Sequence, residues 1–153
     1  MFLLGNLAYM KNTPILKEVR INAKPEAIWE ALTLPEQMEE WYFEVHDFNL
    51  QVDNEFYFFE PGGTNKFRHV CKITEIIPAR KFQHTWTFPD FTNGVSVLTW
   101  ELIPSGEKTL VRLLHEDIEN FADAGNDFAR ANFDAGWEEI VTINLVNYLT
   151  KIQ

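Results

Sequence analysis

Four histidines and one cysteine carry the most reactive side chains in this 153-residue chain, and they lie far apart. His46, His69, His84 and His115 each fall in a different strand-like run, with no His-x-x-x-His pair and no second thiol for Cys71. A zinc or iron site built from local motifs needs closely spaced ligands, so neither a metal nor a cofactor is expected. No Gly-x-Ser-x-Gly elbow, Walker loop or Gly-x-Gly-x-x-Gly turn occurs, which removes the commonest nucleophile and nucleotide motifs. Cys71 sits among Val70, Ile73 and Ile76 and reads as a packed thiol.

What remains suits binding better than bond breaking. His84 alternates with Phe82, Trp86 and Phe88 on one strand face, so it points inward. It is either a hydrogen-bond anchor for a ligand or a histidine satisfied by its neighbours. Asn144 interrupts the inward face of a helix and poses the same question, because a buried amide must find partners. Trp41, Phe58, Trp86 and Trp100 supply candidate walls from the first two-thirds of the chain, and Phe133, Trp137 and Tyr148 from the last. Rings converging on a few polar groups are the usual form of a small-molecule pocket, and the same stripe also makes an ordinary core.

These residues need elements to hold them. Residues 126–152 read as one long helix with Phe133, Trp137, Ile140, Val141, Asn144 and Tyr148 on one face. Such a helix spans about 40 Å. Gly136 lies in its interior, where glycine costs about 0.5–1 kcal/mol relative to alanine. The expected reason is close approach of the helix to the sheet or to other helices, with Trp137 filling or capping a cavity. Beyond Glu139 the outer face carries Leu145, Val146 and Leu149, which predicts cover from the extension Phe2, Leu3, Leu4 and Leu7, or from a second copy as a homodimer.

Upstream, a period-2 run over 15–23 predicts a strand, and Pro25 and Pro35 each open a short helix. Six further strands are expected over 45–50, 55–60, 67–77, 81–88, 95–103 and 109–117, separated by Asp-Asn, Pro-Gly-Gly, Pro-Asp and Pro-Ser-Gly turns. The fold class is therefore α+β: a curved seven-stranded antiparallel sheet, two short helices and a long C-terminal helix, the helix-grip arrangement. Residues 15–152 form a single domain behind an N-terminal extension, 1–14, in which Met10-Lys11 reads as the natural start.

Charge narrows the partners. The chain has 13 Lys and Arg against 23 Asp and Glu, a formal charge of −10, and no basic cluster. Nucleic acid and anionic membranes are poor partners for such a surface. No apolar run approaches the roughly 18–20 residues that cross a bilayer, and a lone cysteine fits a cytoplasmic setting.

Three stretches resemble a known family: Ala23-Lys24-Pro25-Glu26-Ala27-Ile28-Trp29-Glu30-Ala31-Leu32-Thr33-Leu34-Pro35, then Pro78-Ala79-Arg80-Lys81-Phe82-Gln83-His84-Thr85-Trp86, then Gly136-Trp137-Glu138-Glu139. Their order and separation are similar to those of the START-like (SRPBCC, Bet v 1-like) superfamily, and locally to the group named for the activator of Hsp90 ATPase. The resemblance implies an apolar cavity between sheet and long helix that takes lipids or other hydrophobic small molecules. It also leaves two alternatives, a cyclase- or aromatase-type enzyme and a co-chaperone-like interaction module. His84 and Asn144 are too few polar groups to argue catalysis, so no catalytic residue is assigned.

Overall fold

Two prolines shape the first turn of the chain's path. The computed structural model describes residues 13–152, and in it strand β1 (Ile15–Ile21) is followed by helices α1 (Pro25–Thr33) and α2 (Pro35–Trp41). Proline occupies the start of each helix and Glu26 or Glu36 its first turn, where a negative charge meets the positive end of the helix dipole. Pro35 also forbids helical backbone at Leu34, which is extended and ends one helix as it begins the next.

Strands β2 (Glu55–Phe59), β3 (Arg68–Ile77), β4 (Lys81–Thr87), β5 (Val95–Ser105) and β6 (Lys108–Glu116) then run as an antiparallel meander. β1 returns to pair with β6, giving the sheet order β1-β6-β5-β4-β3-β2. Alternation holds along β4, where Phe82, His84 and Trp86 are buried and Lys81, Gln83, Thr85 and Thr87 are half-buried. A bulge between Ile73 and Glu75 breaks the β3–β4 register, and bulges of this kind bend a sheet.

Among the described residues the sheet has six strands, not seven. The run expected as a strand at 45–50 contributes only a bridge between His46 and Tyr57. Asp47 takes a left-handed φ of 62° and turns the chain away. The Asn54 side chain then ties the loop to itself, donating to Asp47 O at 3.1 Å and accepting from Asn49 N–H at 3.0 Å.

The C-terminal segment also departs from a single helix. Residues Ile118–Ala124 and Asn126–Phe128 form 3-10 turns, and Ala129 is extended before α3 (Arg130–Glu139) begins. Then comes a π-helical stretch, Ile140–Leu145, and α4 (Val146–Lys151). The wider i→i+5 turn delays the inward face by one residue. Leu145 and Leu149 are consequently wholly buried at 0% exposure, while Asn144 is only half-buried. This corrects the expected apolar outer face: Leu145 and Leu149 pack into the protein's own core, Val146 lies partly buried against it, and a homodimer through these three residues loses its basis. The extension with Phe2, Leu3, Leu4 and Leu7 lies outside the described residues.

The helix is pinned to β1 at its first turns. Lys17 reaches Asp134 at 3.1 Å and Glu138 at 3.0 Å, and Arg130 donates to the carbonyls of Thr13 and Pro14. The 3-10 turn before it is held against the start of β5 at Gly94. A Cβ there would sit 2.1 Å from the backbone oxygen of Asn120, so no other residue fits without displacing the turn.

Candidate functional site

Period-2 alternation brings three histidines to the inner side of the sheet: His69 on β3, His84 on β4 and His115 on β6, all buried. His115 is joined to the long helix. Trp137 Nε1–H donates to His115 Nδ1 at 3.0 Å, and His115 Nε2 lies 2.8 Å from Ser96 Oγ, which itself donates to the Trp86 carbonyl at 2.8 Å. An indole only donates, so Nδ1 accepts and the imidazole proton resides on Nε2. Burial, reinforced by neighbouring His84, lowers the His115 pKa to about 3.

His84 makes a 2.8 Å contact from Nδ1 to the carbonyl of Thr85, so that nitrogen carries the proton; burial brings its pKa to about 4. His69 stacks on Phe58 with ring centroids 4.5 Å apart, and burial likewise lowers it to about 4. Near neutral pH all three are uncharged imidazoles. Among the described residues no group of three or more His, Cys, Asp or Glu is arranged to hold a metal.

The expected hollow between sheet and helix is largely filled. Trp86 and Trp137 meet at 5.1 Å, Trp41 and Trp100 at 6.1 Å, and Trp100 and Trp137 at 6.2 Å between ring centroids. Phe58, Trp100 and His84 are solid core, at most 2% exposed. Trp41, Asn144 and Tyr148 flank a separate groove of about 460 Å³ beside Glu39 and Glu40. Trp41 is held there by its indole N–H, which donates to Ala31 O at 2.8 Å.

The remaining three expected residues, Trp86, Phe133 and Trp137, do come together. With Phe43, His69 and Gly136 they line an inner pocket of about 140 Å³. Phe43, His69, Phe133 and Gly136 also line an outer groove of about 370 Å³, which Phe67, Phe88 and Phe128 extend. Pockets for small molecules usually measure about 300–1,000 Å³ and are mostly apolar, and the groove meets both conditions. An opening of about 820 Å³ elsewhere, between α1 and the β5–β6 turn, is flanked by Lys24, Glu26, Glu30, Glu107 and Lys108. Its charged lining suits an exposed crease better than an apolar ligand.

Gly136 takes a different role from the expected one. A Cβ at this position would meet nothing within 4 Å, so the glycine permits no close approach to sheet or brace helices. It instead withholds a side chain from the wall of the groove. At the inner end, Trp86 is 3% exposed and its indole N–H has no hydrogen-bond partner. A buried, unsatisfied donor costs about 1–3 kcal/mol. The Tyr42 hydroxyl, also buried without a partner, has its pKa pushed well up by burial.

His69 was legible as an inward residue from its phase with Cys71 and Ile73, and His115 from its phase with Val111 and Leu113. Searching histidines only for metal spacing passes over both.

The order of strands and the helix laid against them define a helix-grip protein. The chain belongs to the family described as activator of Hsp90 ATPase homolog 1-like proteins, whose model matches residues 22–150. None of the curated proteins matches it. Among solved structures, DynU16, from the dynemicin biosynthetic locus, is similar over 92% of this chain at 17% identity and a TM-score of 0.74; the chain spans about half, 48%, of its length. MLL2253 from Mesorhizobium loti matches over 92% of this chain and 98% of its own, with 23% identity and a TM-score of 0.73. PFC0360w, an HSP90 activator from Plasmodium falciparum, matches over 92% and 96% with 19% identity and a TM-score of 0.65. At these identities the likeness is one of fold. No helix among the described residues is long and apolar enough to cross a membrane.

Proposed function

We propose that this protein binds an apolar, ring-bearing small molecule in the groove beside Gly136, with the inner end of the ligand against Trp86 and Trp137. The observation that carries the reading is the space at Gly136: a helix gives up side-chain volume where no neighbour requires it, directly over a ring-lined pocket. Ordinary core packing disfavours such space, because cavities cost stability in proportion to their size. A cytoplasmic setting suits the buried free thiol of Cys71.

N-Phenyl-1-naphthylamine, an uncharged dye whose emission rises in apolar surroundings, tests the reading. The wild type is expected to bind it, and Gly136→Leu, whose Cβ meets nothing within 4 Å and whose remaining atoms enter the groove, to bind it at least tenfold more weakly while melting at a similar temperature. Equal binding by a folded Gly136→Leu protein contradicts the reading. Native mass spectrometry of protein purified without denaturation then identifies the natural occupant. The family description favours a second reading, stimulation of an Hsp90 ATPase; it predicts faster ATP hydrolysis by Hsp90 when this chain is added, unaffected by Gly136→Leu.

A further inference from the structure

The bridge between His46 and Tyr57 builds a second concave site at the β2 edge of the sheet. β2 is the last strand on that side, and His46 and Tyr57 exchange backbone hydrogen bonds of 2.8 and 3.1 Å. Their rings stack with centroids 4.9 Å apart. Phe59, two residues on and so on the same face of β2, stands edge-on to Tyr57 at 6.2 Å. Tyr42 and Phe43, just after α2, add two more rings. The Pro61-Gly62-Gly63 turn, with φ of 106° and 81° at its glycines, completes the lining of a pocket of about 400 Å³, a volume usual for small-molecule sites. All five ring-bearing residues are half-buried, so each keeps surface open to solvent.

The charge of this pocket has one sign. Glu39, Glu44 and Glu60 line it, and no Lys or Arg does. The Glu60 carboxylate accepts hydrogen bonds from the Thr64 hydroxyl at 2.6 Å, Lys66 N–H at 3.0 Å and Phe67 N–H at 2.9 Å. Burial pulls its pKa up, but the three donors outweigh that and hold it at about 2, so Glu60 is ionised throughout the physiological range. Glu39 and Glu44 are exposed and, among the described residues, form no ion pair. Carboxylates of one sign around a concavity attract a cation into it. They are not gathered tightly enough to chelate a metal ion. Rings beside unpaired carboxylates suit a cation with an alkyl surface, which the negative faces of the rings also attract.

We propose that this pocket is a second binding site, for a small alkylated ammonium ion. Glu39, Glu44 and Glu60 supply the opposite charge, and Tyr57 and Phe59 the rings that receive its alkyl groups. Phe43, Glu60 and Pro61 line both this pocket and the groove beside Gly136, yet the ammonium site fills whether or not that groove is occupied.

Choline, 3,3-dimethylbutan-1-ol and 3,3-dimethylbutanoate share one branched shape and carry a positive, no and a negative charge. Titrated into ¹⁵N-labelled protein, choline is expected to shift the amide signals of Gly62, Gly63 and Asn65 with a common saturation curve, about tenfold tighter than the alcohol, and the carboxylate to leave them still. Glu39→Gln with Glu44→Gln, both at exposed positions, weakens choline about fivefold and leaves the alcohol nearly unchanged. Tyr57→Leu, which removes a ring and keeps the charge, also weakens choline about fivefold. Gly136→Leu leaves choline affinity as it is. No saturable shift by choline overturns the proposal, as does an alcohol that binds equally well. Unchanged choline affinity in the double glutamine variant or in Tyr57→Leu overturns it too. If Tyr57→Leu does not fold, Phe59→Leu replaces it under the same criterion. Loss of choline binding in Gly136→Leu would merge the two pockets and overturn a separate site, while uptake of N-phenyl-1-naphthylamine judges the Gly136 groove on its own.

Discussion

Trp137 on the long helix donates its indole proton to Nδ1 of His115 on β6, 3.0 Å away. That one bond docks the helix to the sheet and selects the His115 tautomer, leaving the Nε2 proton for Ser96 at 2.8 Å. The helix is thus held by a directional polar contact as well as by its rings.

Trp137→Ala removes that contact together with a side chain only 2% exposed. The inner pocket beside it is small, so the loss is that of a core residue, about 3–5 kcal/mol. Trp137→Phe retains most of the area but leaves Nδ1 of His115 without its donor, at about 1–3 kcal/mol. Urea melts of the two variants measure both; a loss below about 1 kcal/mol for Trp137→Ala places the indole in a pocket wall that packing does not need.

Acid should unfold this protein earlier than its carboxylates alone require. His69, His84 and His115 have folded-state values of about 4, 4 and 3 against an ordinary 6.5. Between those values the unfolded chain binds more protons than the native one, so stability rises with pH there. The contribution of the neutral histidines is complete above about pH 7 and is lost progressively as pH falls from 6.5 toward 4. Glu60, lowered from 4.5 to about 2, adds a loss only below about pH 4.5. Urea midpoints at pH 7.5 and 5.5 test the sign; a midpoint unchanged or higher at pH 5.5 refutes it.

Two glycine-to-alanine changes should have opposite effects. At Gly94 a Cβ would lie 2.1 Å from Asn120 O, and relief requires the backbone of the 3-10 turn to move, costing about 1–3 kcal/mol or more. At Gly136 a methyl group meets nothing within 4 Å, so Gly136→Ala should stabilise by about 0.5–1 kcal/mol through helix propensity alone. Thermal melts of the pair settle it, and destabilisation by Gly136→Ala would mean that the helix is closer to its neighbours than described.

Leu145→Ala tests the rotation of the helix face. A leucine wholly inside the core costs about 2–5 kcal/mol when truncated, whereas one on an outer face costs a few tenths. A near-neutral result would return Leu145 to the surface and reopen the homodimer.

How far the sequence reached depended on whether a feature is local. Pro25 and Pro35 announced their helices, and the alternation of Phe82, His84 and Trp86 announced the inner face of β4, because φ restriction and pleat act residue by residue. The exchange of Asn144 for Leu145 as the inward residue was hidden, since a helical wheel assumes 3.6 residues per turn and a π-helical stretch does not. The missing strand at 45–50 depended on Asn54 reaching back to Asp47, a side-chain contact with no periodic signature. Of the candidate wall, Trp86, Phe133 and Trp137 share the inner pocket, while Phe58, Trp100 and His84 are core and Trp41, Asn144 and Tyr148 border another groove. Aromatic composition signals rings that converge, but the space left between them is a tertiary property. The unpartnered N–H of Trp86 is likewise invisible until every neighbour is placed.

The central claim is that an apolar small molecule enters beside Gly136 and not at the groove bordered by Asn144 and Tyr148. Titrating ¹⁵N-labelled protein with N-phenyl-1-naphthylamine and following individual amide and indole signals by NMR tests it most directly. The account predicts that the Gly136 amide and the Trp86 indole N–H shift with a common saturation curve while Asn144, Asn147 and Tyr148 stay still. Saturable shifts at Asn144 and Tyr148 with Gly136 and Trp86 unmoved would contradict it.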